Sequence, residues 1–201
     1  MSSNSITVTV LAVFALGCGA GEQTPAAEPA ATPEAPTDPV QAKIDQAMRA
    51  APAALAAGAT IMDWPGEDGQ MKELRAGSNG WMCMPSSPTP AGAPQEGENA
   101  MCLDQAWQGW AAAWTSKGPV PKFDGIGVAY MLLGDRGASN VDPYASGPTA
   151  DNQWVLEGPH LMLLASDPTV WDRLPTDPEN GGPYVMWKGT PYAHVMVPVA
   201  E

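Results

Sequence analysis

Prolines and glycines are spread along almost the whole chain, and they limit which folds it can adopt. The sequence contains 22 proline and 21 glycine residues among 201. Proline kinks or ends a helix, and both residue types favour turns, so long helices are disfavoured over most of the chain. We therefore expect short strands joined by turns, with helices in the few segments that lack both residues.

The first 17 residues predict a secretory signal peptide. Residues 6–17, ITVTVLAVFALG, form an apolar run that is too short to span a bilayer but has the length of a signal-peptide core. The stretch ALGC, ending at Cys18, resembles the lipobox of bacterial lipoproteins, which implies cleavage before Cys18 and a lipid on its sulfur. Ala15 stands where leucine is usual, and no lysine or arginine precedes the apolar run. The alternative is a plain secretory signal with an unmodified Cys18.

The next segment predicts a spacer. Residues 19–37 consist almost entirely of Ala, Pro, Glu, Thr, Gly and Gln, which cannot bury a core, so we expect disorder. The chain then divides into a signal peptide (1–17), a lipid-anchor cysteine with its linker (18–37) and one folded domain (38–201). This organisation predicts a lipoprotein of the bacterial cell envelope that faces the periplasm or the exterior, with the membrane as its partner through Cys18.

The charge of the chain argues against nucleic acid as a partner. The formal net charge is -13, with 22 acidic and 9 basic residues. A phosphate backbone is bound by clustered lysine and arginine, which this composition does not supply. We interpret the excess acid as a contribution to solubility.

Two segments predict helices. Asp38 and Pro39 are a typical start, Pro52 should break the first helix, and Gly58 should end it. In the second segment the apolar residues recur with helical spacing, and Gly118 is the expected end. That stripe is Leu103, Trp107, Trp110 and Trp114. It predicts an amphipathic helix that covers a sheet, with a ligand platform as the alternative.

Short apolar segments between turn signals predict strands. The predicted strands are residues 59–64, 70–77, 80–85, 123–134, 160–165, 183–188 and 192–199. Residues 123–134 are the most apolar and should be central. The stretch 134–152 is rich in Asp, Asn, Ser and Gly, and we expect a loop there. The fold class is therefore α+β: a mostly antiparallel sheet with one or two covering helices in a single domain.

Cys83 and Cys102 predict a disulfide that staples the domain. If Cys18 carries the lipid, these two form an even pair in an exported chain, where disulfides are the default. They flank the polar loop 86–100, and closing a loop of this length stabilises the fold by roughly 3 kcal/mol in the chain-entropy model. The alternative is a catalytic or redox cysteine, although the spacing is unlike CxxC.

The two histidines of the chain raise the possibility of a metal site. His160 precedes Met162, and His194 precedes Met196, each by two residues. Residues i and i+2 of a strand share a face, so neighbouring strands would bring four ligands together. Imidazole with thioether suits copper(I). Further sulfur could come from Met82, Met84 and Met101. The alternative is ordinary core packing, which implies no cofactor.

Four segments of the chain carry a resemblance. The strings NGWMCMP, MCLDQAW, GPHLML and GTPYAHVMVPV resemble a group of uncharacterised bacterial exported proteins over roughly residues 59–200, including Cys83, Cys102 and both histidines. The resemblance implies an exported, folded domain and no particular reaction. No GxSxG, HExxH, P-loop or dinucleotide fingerprint is present in the sequence, so the catalytic residues are unknown.

The leading hypothesis is a non-catalytic binding module for an unknown small molecule or envelope protein. Its expected contact residues are the aromatic side chains near predicted turns, Trp81, Tyr144, Trp154 and Tyr192. One alternative is a periplasmic copper(I)-binding protein. Another is a hydrolase-type enzyme in which a histidine acts as base beside Asp142. Two histidines in one open cleft would favour the alternatives, whereas burial with bonds to the backbone would favour the binding module.

Overall fold

The computed structural model describes residues 38–88 and 97–199. They fall within one compact unit, Pro36–Glu201. The predicted signal peptide (1–17), the predicted lipid site Cys18 and the predicted linker (18–37) lie outside the described residues. No helix among the described residues has the length and apolar character needed to cross a membrane.

The described residues form an α+β fold, as predicted, with an eight-stranded and a two-stranded sheet. The helices are α1 (Pro39–Arg49), α2 (Ala53–Ala56) and α3 (Gln105–Ser116). The strands are β1 (Thr60–Asp63), β2 (Lys72–Arg75), β3 (Met82–Met84), β4 (Met101–Leu103), β5 (Ile126–Met131), β6 (Ala138–Ser139), β7 (Trp154–Val155), β8 (His160–Ala165), β9 (Tyr184–Met186) and β10 (His194–Pro198). Between β8 and β9, the chain forms short 3₁₀ turns at Pro168–Trp171 and Pro178–Asn180.

The large sheet has the strand order β2-β1-β3-β4-β5-β8-β10-β9. Its neighbours are antiparallel except β1 and β3, which run parallel. The apolar strand β5 is interior, as predicted, and it pairs with β8 along its whole length. The pairing of β5 with β8 and of β8 with β10 brings together segments that are far apart in the sequence.

Helix α1 begins and breaks where the sequence predicts. The Asp38 carboxylate accepts the backbone N–H of Val40 at 2.9 Å, and Pro39 occupies the first turn. Pro52 separates α1 from the short α2. Val40, in the first turn of α1, is exposed, while Ala47 in its last turn is fully buried.

Helix α3 corrects two expectations about its ends. Leu103 belongs to β4 rather than to the helix, because it pairs with Met82 and Ala129 and the Asp104 carboxylate caps the helix after it. The helix ends at Ser116, and its left-handed cap residue is Lys117, with φ 56°, and not Gly118. The backbone N–H of Gly118 then bonds the Ala113 carbonyl at 2.8 Å and closes the terminus.

The two faces of the large sheet carry different layers. Ala129, Leu164 and Met196 lie with Trp107 and Trp110 of α3 in one core cluster. On the opposite face, residues of α1 pack over β1, β3 and β4 in a second cluster. This second cluster contains Ala47, Ala50, Ile61, Cys83 and Cys102. Strand alternation therefore sends Met82 and Met84 towards the α3 side and Cys83 towards α1.

The predicted disulfide is present between Cys83 and Cys102. The two residues are direct partners across the antiparallel pair β3–β4, with their Cα atoms 4.0 Å apart. Both are fully buried beneath α1. The bridge therefore joins adjacent strands inside the sheet.

The stretch 134–152 is more ordered than expected. Ala138–Ser139 pairs with Trp154–Val155 in the two-stranded sheet. The Ser139 hydroxyl donates to the Asn152 carbonyl at 2.7 Å and accepts the backbone N–H of Asp142 at 2.8 Å. Strands of two residues give no recognisable alternation, which is why the sequence pattern favours a loop here.

Candidate functional site

Methionines and both histidines are concentrated on the α3 side of the large sheet. We call this group the methionine–histidine face. Its members are Met82, Met84, Met101, Met131, Met162, Met186, Met196, His160 and His194. They come from six strands, so the concentration arises from the strand order and not from local sequence.

The strand register arranges part of this face as a row around His160. Met84 is opposite Met101, and Met131 is opposite His160. Continuing the β4–β5 register by one residue places Met101 beside Met131. Directly opposite side chains have Cβ atoms about 4.5–5.5 Å apart. Met131 is thus the nearest same-face neighbour of His160 on β5.

The two predicted His-x-Met pairs lie on neighbouring antiparallel strands. Met162 and Met196 are direct partners across β8 and β10. The histidines lie at different ends of this pairing, since His160 is opposite Pro198 and His194 is opposite Met186 on β9. The four residues therefore share a face, with the methionines between the histidines.

His160 has one ring nitrogen in use and one without a partner. The residue is fully buried, and its Nδ1 lies 2.7 Å from the Gly158 carbonyl oxygen. A carbonyl can only accept, so Nδ1 carries a proton, and in the tautomer with its single proton there Nε2 presents a lone pair. Within the described part of the chain, Nε2 is buried and has no hydrogen-bond partner.

Carboxyl groups and a tyrosine lie close to His160. Asp135 Oδ1 accepts the backbone N–H groups of Gly137 at 2.8 Å and Glu157 at 3.1 Å. The Tyr184 hydroxyl donates to Glu157 Oε1 at 2.6 Å. Burial raises the pKa of the Asp135 carboxyl, and the nearby His160 acts in the opposite direction. Burial also raises the pKa of Tyr184, with a further contribution from Glu157.

His194 lies among tryptophans. Its ring is edge-on to those of Trp107, Trp110 and Trp187, with centroids 5.4, 5.5 and 4.9 Å away. Nδ1 lies 3.0 Å from the Tyr192 carbonyl, which fixes the same tautomer as in His160. Burial lowers the pKa of His194 to about 4, so the ring is neutral at pH 7.

Neither the metal hypothesis nor the catalytic hypothesis finds its expected group of side chains among the described residues. In residues 38–88 and 97–199, no three or more His, Cys, Asp or Glu side chains are placed to hold a metal ion. A metal on the methionine–histidine face would therefore depend on thioether sulfur. Asp142, the candidate partner of a histidine base, uses Oδ1 to accept the backbone N–H of Tyr144 at 2.9 Å.

A second candidate site is an open cleft of about 490 Å³ beside the start of α3, which we call the Trp81 cleft. It is lined by Asn79, Gly80, Trp81, Asp104, Gln105, Ala106, Phe123, Asp124 and Ile126. Trp81, Phe123 and Ile126 give it an apolar wall, and Ile126 is 61% exposed. Gln105 and Asp124 are exposed and supply polar groups at the rim.

The other predicted contact aromatics are not in this cleft. Tyr144 stacks parallel to Trp114 at 6.3 Å between centroids, with Lys117 Nζ 4.6 Å from the Tyr144 ring centre. Tyr192 is 5% exposed, and its hydroxyl donates to the Gly118 carbonyl at 2.9 Å.

Trp154 covers the backbone at Gly137. A Cβ added at Gly137 would lie 2.2 Å from Trp154 Nε1, so only glycine fits beneath the ring. The ring of Trp154 thus packs against the backbone of its own loop region. Of the four predicted contact aromatics, Trp81 is the one that lines the Trp81 cleft.

Sequence reasoning missed several residues of both candidate sites. Met131 is the last residue of β5 and shares a face with Ala129, which the alternation in IGVAYM indicates. Its pairing with His160 joins residues 29 positions apart, and no local sequence signal predicts it. Asp135 and Glu157 lie on connecting segments. Phe123 and Ile126 are part of the apolar segment 123–134, whose pattern predicts a buried central strand.

Comparison with known proteins adds no relative: no family model, no curated protein and no solved structure matches this chain.

Proposed function

We propose that this chain is an exported, lipid-anchored envelope protein whose folded domain binds a ligand without catalysing a reaction. The observation that carries the proposal is the Trp81 cleft, in which an aromatic wall stands beside exposed polar side chains. Concave sites that combine apolar walls with a few polar groups are where small ligands bind. The anchoring part rests on the apolar run 6–17 and on Cys18.

The environments of the two histidines support binding over catalysis. His160 is 0% and His194 is 2% exposed, and each Nδ1 is engaged by a backbone carbonyl two residues earlier. A general base must reach the proton that it abstracts, directly or through one water. Side chains this deeply buried are poorly placed to meet a substrate that arrives from solvent.

The chemistry of the Trp81 cleft favours an oligosaccharide as ligand. A sugar ring offers an apolar C–H face to an aromatic ring and hydroxyl groups around its edge. The Trp81 and Phe123 rings can stack on the apolar face of the sugar. The Gln105 amide and the Asp124 carboxylate can hydrogen-bond its hydroxyl groups. Because the cleft is open, it can hold one part of a longer polymer, such as a strand of envelope glycan.

The test uses the N-acetylglucosamine tetramer as probe, with binding followed by tryptophan fluorescence and calorimetry. The variant Ile126→Asp places a charge on the apolar wall at a residue that is already 61% exposed, so the fold should be retained. The matched control is Leu156→Asp, at a residue that is 69% exposed. Leu156 is next to Glu157, whose carbonyl accepts the backbone N–H of Asp135. Asp135 follows the end of β5 that is opposite to Ile126, so the control residue lies away from the cleft.

We expect the wild type and Leu156→Asp to bind the tetramer equally, and Ile126→Asp to bind at least about tenfold more weakly, a loss of about 1.4 kcal/mol. No binding by the wild type would overturn the glycan assignment. An equal loss in both variants would show that the cleft is not where the sugar binds.

A further inference from the structure

The unpartnered Nε2 of His160 needs a physical explanation. Leaving a buried acceptor unsatisfied costs about 1–3 kcal/mol. A fully buried ring whose Nδ1–H is held by the Gly158 carbonyl cannot turn to solvent for relief. The same arrangement is typical of metal-binding histidines, in which a backbone carbonyl orients the ring and the other nitrogen binds the metal.

The residues nearest to His160 in the strand register of the methionine–histidine face carry soft donors. Met131 is the direct partner of His160 on β5, and Met162 is two residues along β8 on the same side. Continuing the β4–β5 register by one residue places Met101 opposite Met131. Imidazole and thioether both suit copper(I), whereas magnesium and calcium prefer oxygen ligands.

Charge in the surroundings also favours a cation. The Asp135 carboxyl lies near His160, and the Glu157 carboxylate lies in the same group of residues through its bond with Tyr184. Negative groups beside a buried site offset the cost of bringing a single positive charge out of water. A doubly charged ion would instead call for direct oxygen, imidazole or thiolate ligands, and no such set of three is present in the described residues.

We propose that His160 Nε2, together with the sulfur atoms of Met131 and Met162, binds one copper(I) ion. This site differs from the Trp81 cleft in its residues, so it stands or falls independently of the glycan proposal. It also shifts the metal hypothesis from the two His-x-Met pairs to one histidine, because the structure supplies Met131 and leaves His194 at the other end of the strand pairing.

The experiment is an anaerobic competition between the full-length protein and bicinchoninate for copper(I). The double variant Met131→Leu/Met162→Leu removes both sulfur atoms and nearly conserves volume, so the core stays filled. The control is Met186→Leu, which removes a buried sulfur from the same face beside His194. Urea unfolding of the metal-free proteins checks that all three chains are folded.

We expect the wild type and Met186→Leu to withdraw one equivalent of copper(I), and the double variant to bind at least 100-fold more weakly with an unchanged unfolding midpoint. X-ray absorption of the bound copper should report nitrogen and sulfur neighbours. The proposal is overturned if the wild type withdraws no copper(I), if the double variant binds as tightly as the wild type, or if Met186→Leu loses binding to the same extent.

Discussion

The Asp104 carboxylate accepts the backbone N–H of Val128 through Oδ2 at 2.6 Å, which ties the start of α3 to β5. Its other oxygen accepts the backbone N–H of Trp107 at 2.9 Å and caps the helix. One side chain therefore satisfies two donors on two elements. The cap positions the tryptophans of α3 over the methionine–histidine face.

Asp104→Ala should lower the free energy of unfolding by about 2–4 kcal/mol, because it removes a helix cap and leaves the Val128 donor unpaired. Asp104→Ser is the matched variant. Its hydroxyl can still cap Trp107 but is too short to serve both donors, so we expect about half of that loss. Urea denaturation followed by fluorescence measures both. Equal losses would show that the cap at Trp107 contributes nothing, whereas no loss in Asp104→Ser would show that the bond to Val128 contributes nothing.

Gly137→Ala should be strongly destabilising. Gly137 has φ +92°, and an added Cβ would lie 2.2 Å from Trp154 Nε1. Backbone strain and overpacking together predict a loss of more than about 2 kcal/mol. Gly147→Ala is the control, since nothing lies within 4 Å of its added Cβ, and its effect should stay within about 0.5 kcal/mol. A tolerated Gly137→Ala would mean that Trp154 moves aside easily.

His194 should make the fold sensitive to acid. Its pKa is lowered from 6.5 to about 4 by burial, so acid protonates the unfolded chain before the folded one. The stabilisation from the neutral ring is complete above pH 6.5 and is lost as the pH falls towards 4. The loss should reach about 3 kcal/mol.

His194→Gln provides the comparison for this effect, because carboxyl groups also titrate at low pH. Urea midpoints of both proteins at several pH values between 7 and 4 give the difference. The variant should be less stable at pH 7, and the gap between the two proteins should narrow as the pH falls. A constant gap would contradict burial as the cause.

The disulfide should contribute about 3 kcal/mol, since it closes a loop between residues 19 positions apart. Cys83→Ala/Cys102→Ala should lose about that amount in urea unfolding, with an unchanged near-ultraviolet spectrum of the native state. Wild-type protein refolded under reducing conditions serves as the control and should match the double variant. A loss below about 1 kcal/mol would show that the packing alone holds β3 against β4.

Lipid attachment at Cys18 is tested in cells. We expect the wild type to carry radiolabelled palmitate and to sediment with membranes, because the lipobox-like ALGC ends at this residue. Cys18→Ser should lose the label and appear in the soluble fraction of the envelope. A wild-type protein that is exported but unlabelled would leave the plain secretory signal as the correct interpretation.

Local signals explain which parts of the fold were predictable. Neighbouring residues indicate the start of α1 at Pro39 and the strand Ile126–Met131. The number of cysteines predicts the disulfide, since Cys83 and Cys102 remain as a pair if Cys18 carries the lipid. The parallel pairing of β1 with β3 depends on competition among all strands for partners, which no short window encodes.

The candidate site was predictable to a smaller extent. His160 and Met162 share a face because of strand geometry alone, and that relationship is visible in the sequence. The addition of Met131 requires knowing that β8 pairs with β5 in one particular register. The orphaned Nε2 requires knowing which carbonyl the ring meets, and the Gly158 carbonyl becomes its partner only once the chain has folded.

The cross-strand bridge has a topological consequence for the segment between its two cysteines. Residues 89–96 lie between Cys83 and Cys102, so a protease cut there would leave a two-piece protein held together covalently. Such a nicked molecule would migrate as one band until a reducing agent was added. The same closure keeps β3 and β4 joined whatever the length of the chain between the two cysteines.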